Sequence, residues 1–286
     1  MKGIIIKNIS NDYEVKTKNG KYICKPRGKF RIDSITPLVG DIVEIDADNS
    51  YILNIHNRKN SLIRPTVANI DQALIVTSVK QPDFNSKLLD KLLTIIAYNN
   101  ITPIICLTKL DLLTVKELED INNIMNYYKS IGYQVVTNDD IKTIKKMFKD
   151  KLTVFTGQSG AGKSSLLNKL DKHLNLKTDE ISLALGRGKH TTRHVELFEI
   201  AEGLVVDTPG FSSLDFYDMT KVDIRDNMKE MFDNLDKCKY RDCMHINEDG
   251  CYVKKLVSEN IILKTRYENY LSFIRNDKKW RYQYQF

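Results

Sequence analysis

No apolar run in the 286-residue sequence approaches the roughly 18 residues needed to cross a bilayer. The opening Met1–Ile6 carries three isoleucines in a row but lacks the small-residue cleavage site of a secretory signal. These absences argue against a helical membrane protein and against export, and they point to a cytoplasmic chain with no membrane partner. Cysteine is sparse. Five residues, unevenly spaced, are too few for a disulfide-stapled scaffold. Internal repeats and low-complexity tracts are missing as well, which excludes a repeat array.

What is present fits a folded chain. Apolar residues make up 42% and charged residues 28% of the sequence, the balance of a globular protein. The length exceeds one typical domain and predicts two or three compact units. A formal net charge of +7 is compatible with a solvated lysine-rich surface. It is equally compatible with a polyanionic partner, whose counterions lysine and arginine displace.

Three rhythms divide the chain. Residues 1–60 read as short strands: Gly3–Ile6, Asp12–Lys16, Lys21–Cys24, Val39–Ile45 and Tyr51–Ile55, with Asn19-Gly20 as a hairpin turn. So many strands in so short a segment predict a small closed barrel of the OB-fold type. The segment Lys25–Arg31 reads as a basic loop carrying one aromatic, Phe30, a combination that suits single-stranded nucleic acid. Residues 61–216 alternate apolar strands (Ala73–Thr77, Ile104–Leu107, Gln134–Val136, Thr153–Phe155, Gly203–Val206) with helical patterns, which predicts a mostly parallel sheet with helices on both faces. Residues 217–286 are polar and mainly helical. The expected class is therefore a multidomain α/β protein.

The central segment contains Gly157-Gln158-Ser159-Gly160-Ala161-Gly162-Lys163-Ser164, a full match to G-x-x-x-x-G-K-[ST]. A chance match in a chain of this length has odds of roughly 1%, and the motif stands where it should, between a strand and a helix start. Glycines there let backbone N–H groups curl around phosphates at a helix N-terminus. Lys163 can reach the β- and γ-phosphates, and the Ser164 hydroxyl can ligate Mg²⁺. Thr108-Lys109-Leu110-Asp111 follows another strand. The Asp111 carboxylate accepts only, so it can take two hydrogen bonds from guanine N1–H and the exocyclic amine, whereas adenine leaves it unpaired. GTP and GDP are thus the expected nucleotides.

Asp207-Thr208-Pro209-Gly210 follows a third strand. There a carboxylate can hold Mg²⁺ through water and the Gly210 N–H can sense a γ-phosphate. Upstream, Gly186–Arg193 is a glycine-rich basic loop with adjacent hydroxyls at Thr191 and Thr192, one of which can close on Mg²⁺. The residue after Gly210 is Phe211, which cannot orient a water, so His190 is the nearest polar candidate for the catalytic group.

In the third segment Cys238, Cys243, His245 and Cys251 supply three thiolates and one imidazole within fourteen residues. That is a complete tetrahedral set for one structural Zn²⁺, with no open position for catalysis. Beyond it, Lys254, Lys255, Lys264, Arg266, Arg275, Lys278, Lys279 and Arg281 interleave with Tyr267, Tyr270, Trp280, Tyr282 and Tyr284. The pattern fits a packed lysine-rich helix or an RNA-contacting surface.

The order of the motifs is unusual. The base-reading tetrapeptide precedes the phosphate loop, which precedes both switch segments, whereas in most Ras-like GTPases the phosphate loop comes first and the base-reading motif late. One sheet can still form if the chain is circularly permuted. Permuted order, an N-terminal barrel and the Cys/His cluster together resemble the RsgA family of small-ribosomal-subunit biogenesis GTPases, also called YjeQ or YloQ in bacteria. The resemblance covers essentially the whole chain and rests on Gly157–Ser165, Gly188–Arg193, Asp207–Phe211 and the cysteine spacing. It implies an OB-fold RNA-binding domain at 1–60, a circularly permuted P-loop GTPase domain at 61–216 and a zinc-binding domain at 217–286. It also implies Thr192 as the switch threonine, Ser165 as a further phosphate contact, and the small ribosomal subunit with its rRNA as partner. Thr108 departs from the asparagine usual at that position in GTPases, and its hydroxyl can still tether the loop. The chain is expected to act as a monomer. Two other readings are a small-molecule kinase, which Asp111 disfavours, and an RNA-binding module that senses nucleotide with little hydrolysis.

Overall fold

The computed structural model describes residues 1–10, 12–32, 35–63, 66–171, 195–207, 215–216 and 218–275. The chain opens with β1 (Lys2–Ile9), β2 (Asp12–Thr17) and β3 (Gly20–Pro26), then α1 (Lys29–Ile32), β4 (Ile42–Asp46) and β5 (Tyr51–Ile55). These strands close into a barrel of order β1-β2-β3-β5-β4, in which only β3 and β5 run parallel. That is the five-stranded Greek-key barrel of the OB-fold. Alternate residues point inward, so Ile5, Val15, Cys24, Val43, Ile45 and Ile52 are buried. Phe30, on α1, is 4% exposed and belongs to the same apolar cluster. The expected nucleic-acid aromatic is therefore a core residue. Lys25, Arg27 and Lys29 remain exposed around it.

A hairpin the sequence reading did not foresee, β6 (Ser61–Ile63) and β7 (Thr66–Ala68), follows the barrel. Leu62 and Val67 are buried in a single cluster running from the barrel to one face of the next sheet. That sheet comprises β8 (Gln72–Ser78), β9 (Thr102–Thr108), β10 (Gln134–Thr137), β11 (Leu152–Gly157), β12 (Leu197–Ile200) and β13 (Gly203–Asp207). Its order is β10-β9-β8-β11-β13-β12, with every pair parallel except β12–β13. Both β8 and β11 are buried along their full length, as central strands covered on both faces must be.

Helices α2 (Ser86–Tyr98), α3 (Val115–Ser130), α4 (Ile141–Phe148) and α5 (Lys163–Leu170) connect these strands. Their starts follow local chemistry. The Asn85 side chain accepts from the Leu88 N–H, and Thr114 with Glu117 forms a complete capping box. The described C-terminal part contains α6 (Lys221–Asp226), α7 (Lys229–Phe232), α8 (Tyr252–Ser258) and α9 (Lys264–Arg275). Its core includes Met228, Met231, Val253, Tyr270 and Phe273, joined by Ile95 from α2. No helix among the described residues is long and apolar enough to cross a membrane.

Candidate nucleotide site and metal centre

The parallel strands place three motif-bearing ends on one edge of the sheet, around β8. β8 ends at Ser78 beside Thr108, β11 ends at Gly157 beside Val76 of β8, and Asp207 of β13 lies beside Phe155 of β11. From β8 the chain passes to β9 and β10 on one side and returns to β11 on the other. The carboxyl edge at such a reversal is where open α/β sheets bind ligands.

The phosphate loop is shaped by its glycines. Gly157 has φ 132°, and a Cβ on it would lie 2.0 Å from the Val76 carbonyl oxygen. No other residue fits there. Gly162, at φ 90°, is the N-cap of α5, so the loop delivers its backbone onto a helix start. The Lys163 ammonium donates to the carbonyls of Gly157 (3.1 Å) and Gln158 (2.8 Å), which holds it in the loop's mouth. Ser164 is buried, whereas Ser159, Gly160 and Ser165 are exposed.

Thr108 is 2% exposed, and its hydroxyl donates to the Ala161 carbonyl at 2.6 Å. The strand end that carries the base-reading motif is thereby fastened to the phosphate loop. Lys109 takes a left-handed conformation (φ 62°) and its ammonium donates to the Gln81 carbonyl. A 3-10 turn, Leu110–Leu112, then presents Asp111 to solvent. Sequence reading missed a third loop at this edge. β10 ends at Thr137 beside Leu107, and the Asn138 N–H donates to the Leu107 carbonyl at 2.8 Å. Its only sequence signal is the polar run Thr137–Asp140 after an apolar strand. The backbone of Asp207 closes β13, while His190, Thr192 and Gly210 lie outside the described residues.

The ligand atoms of Cys238, Cys243, His245 and Cys251 lie within 4.8 Å of one another. Cys238 Sγ is 3.6 Å and Cys251 Sγ 3.3 Å from His245 Nδ1, and the two sulfurs are 4.0 Å apart. Four ligands at zinc distances form a tetrahedron with edges of about 3.8 Å or slightly less, so the set fits a metal ion of that kind. The far ring nitrogen supports the fit: His245 Nε2 donates to the Met231 carbonyl at 3.1 Å, which leaves Nδ1 as a lone-pair donor. Burial lowers the His245 pKa and so favours the neutral ring. Backbone N–H groups of Tyr252 and Lys254 point at Cys238 and Cys251 sulfur, as thiolates require. Burial pushes the Cys243 thiol up to about 12, so a cation is needed to keep that sulfur ionised.

The basic-aromatic pattern beyond the cluster divides once its surroundings are known. Lys255, Lys264 and Arg275 are exposed. Arg266 is not. At 1% exposure it pairs with Asp90 of α2 and Glu230 of α7, and its guanidinium lies 5.4 and 5.7 Å from the Tyr128 and Tyr133 ring centroids. The Tyr267 and Tyr270 hydroxyls donate to the His245 and Met244 carbonyls at 2.6 and 2.7 Å. These three residues brace the metal loop and the junction with the central sheet, so of the two readings open for them the packed helix holds and RNA contact does not. Lys278–Tyr284 lie outside the described residues.

A phosphate loop tethered to a guanine-type Thr-Lys-x-Asp motif, on a sheet whose strands occur in rotated order, defines a circularly permuted P-loop GTPase. Comparison with known proteins narrows the class. Residues 55–217 match the RsgA GTPase family and residues 2–52 the RsgA N-terminal domain. The chain is 47% identical to the small ribosomal subunit biogenesis GTPase RsgA of Bacillus cereus, across 98% of this chain and 99% of that one. It is 48% identical to RsgA 2 of Oceanobacillus iheyensis, across 95% and 96%. Among solved structures, it is similar to YloQ, described as a circularly permuted GTPase, at TM-score 0.81 and 38% identity, covering 97% of this chain and 95% of that one. It is likewise similar to YjeQ from Thermotoga maritima, at TM-score 0.82 and 33% identity, covering 96% and 97%. The chain belongs to the RsgA GTPase family and is a GTP hydrolase.

Proposed function

We propose that this GTPase binds the small ribosomal subunit late in its maturation, hydrolyses GTP to GDP and phosphate there, and leaves once hydrolysis is complete. The observation that carries the reading is the Thr108–Ala161 hydrogen bond, which brings the guanine motif and the phosphate loop into one site. The ribosomal target follows the names of the relatives, and a net charge of +7 suits an RNA partner. In this reading 1–60 and 217–286 are RNA-binding flanks of a GTPase domain at 61–216. Gly157–Ser165 cradle the phosphates, and Ser164, Thr192 and Asp207 serve Mg²⁺. Gly210 senses the γ-phosphate, and His190 orients the attacking water. One Zn²⁺ is held by Cys238, Cys243, His245 and Cys251, and the protein works as a cytoplasmic monomer.

The test is phosphate release by the full-length protein with and without purified small subunits. We expect slow turnover alone and stimulation of tenfold or more with subunits. Equal turnover would remove the ribosomal role. Asp111 supplies a second check, because Asp111→Asn puts an amide donor where guanine offers its own N2–H. GTP affinity should fall at least tenfold, with xanthosine nucleotides now preferred. Competition binding measures this directly, and an unchanged preference would show that Asp111 does not read the base.

A further inference from the structure

Two polar side chains near the site have no part in the function so far described. Lys80 lies just beyond β8, and both of its short contacts go to one carboxylate: Nζ is 2.9 Å from Glu117 Oε1 and 3.0 Å from Oε2. Glu117 has a second task. Its Oε2 accepts from the Thr114 N–H at 2.8 Å and the Thr114 hydroxyl at 2.9 Å, completing the N-cap of α3. Thr114 ends the same short loop that holds Asp111. The other end of that loop is fixed by Lys109 on the Gln81 carbonyl. The segment after β8 is itself anchored. Val79 N–H donates to the Thr108 carbonyl at 3.2 Å and Ser78 Oγ to the Lys80 carbonyl at 2.8 Å. Pro82 Cδ stands 3.7 Å from where a Gly160 Cβ would be. The loop bearing Asp111 is thus pinned at both ends to a segment that runs past the phosphate loop.

We propose that Lys80, acting through Glu117, is a positioning residue for base selection, setting where the Asp111 carboxylate meets guanine. The inference rests on the reading of Asp111 given above. Leu110 packs against the core, but Asp111 and Leu112 of the same turn are exposed, and a carboxylate that must accept two hydrogen bonds side by side tolerates little displacement. The Lys80–Glu117 pair supplies that restraint through the Thr114 end of the loop. Its worth to the fold is small, since the two side chains are 33% and 44% exposed and such pairs are screened. Its consequence should therefore be read in nucleotide selectivity and not in melting temperature. The Thr114 N–H, then Lys80, hold the Glu117 carboxyl down to about 2, so the pair is ionised at any working pH.

Two substitutions separate the brace from the cap. Lys80→Met removes the ammonium. Glu117→Gln removes the ion pair but leaves an oxygen that can still cap α3, because glutamine also serves in a capping box. The full-length protein would be titrated with GDP and IDP, which differ by the 2-amino group that Asp111 reads. In both variants GDP affinity is expected to fall on the order of tenfold. IDP affinity should fall less, so that the GDP-over-IDP preference shrinks. The double variant should be no worse than either single one, and Lys80→Arg should restore the preference. Equal losses for GDP and IDP, or no loss, would overturn the proposal. Asp111→Asn is measured alongside with XDP. If it gains XDP while Lys80→Met keeps its GDP preference, the brace is wrong and the base reader stands. If it gains nothing, the base-reading premise falls and the brace with it.

Discussion

Arg266→Ala is expected to cost about 3–5 kcal/mol of stability and to lower the unfolding midpoint by on the order of 10 °C. Asp90 is fully buried and Glu230 is 3% exposed. With the guanidinium gone, both carboxylates are left in an apolar junction with only part of their bonding. In the intact protein that junction is fully subscribed. Arg266 meets Asp90 through Nη1 and Glu230 through Nε and Nη2, the last at 3.0 Å. Tyr128 and Asn269 also donate to Asp90, at 2.6 and 2.7 Å, and Tyr127 donates to Glu230 at 2.7 Å. Burial pushes the Glu230 carboxyl up, but Arg266 and the Tyr127 hydroxyl outweigh it and hold the group below its ordinary value. Adding Asp90→Asn and Glu230→Gln to Arg266→Met removes every stranded charge and keeps oxygens for the tyrosines. That triple variant should recover much of the loss. Thermal and denaturant unfolding measure both variants. A loss under about 1 kcal/mol in Arg266→Ala would mean that water already reaches the junction.

The same junction shows where sequence reading reached its limit. Gly157–Ser164, Thr108–Asp111 and the Cys/His set, whose strand ends and ligand atoms the structure brings together, were legible because each is a local pattern whose chemistry depends on spacing alone. Central strands were legible because β8 and β11 are buried on both faces and so read as continuous apolar runs. Arg266 was not. In sequence it is one more basic residue in a basic helix, and its acidic partners stand 176 and 36 positions away. Burial of a charge is decided by what the chain folds against, which periodicity does not report. Phe30 failed for the same reason, since Lys25, Arg27 and Lys29 near it are exposed cations while Phe30 itself is buried in the apolar cluster. The edge strand β12 and the hairpin β6–β7 escaped because each is too short to carry an alternation. The loop at Asn138 has no motif spacing of its own and is recognisable only by its place beside Leu107.

Loss of the metal is expected to act differently from loss of Arg266, although the two sites adjoin. His245 Nε2 donates to the Met231 carbonyl, and Met231 follows Glu230, the carboxylate that Arg266 grips. Cys243→Ser should release about one zinc per chain and melt much of α6–α9, because the metal ties together a small unit whose core is partly borrowed from α2. Structural zinc contributes on the order of 10 kcal/mol in small domains, more than the junction can supply in return. When the unit melts, Arg266, Glu230 and Asp90 reach water together, so no charge is stranded. The central sheet keeps β8, β9 and β11, and with them the Thr108–Ala161 tether. GDP binding should therefore persist within a few-fold while helix content falls. Arg266→Ala, by contrast, should retain its zinc and lose stability as a whole. Elemental analysis, far-UV circular dichroism and GDP titration on the two variants distinguish these outcomes. Purified wild-type protein that carries no metal would refute the zinc assignment. Complete loss of GDP binding in Cys243→Ser would instead show that the nucleotide site cannot stand without the C-terminal helices, through Ile95 and α2, which share their core.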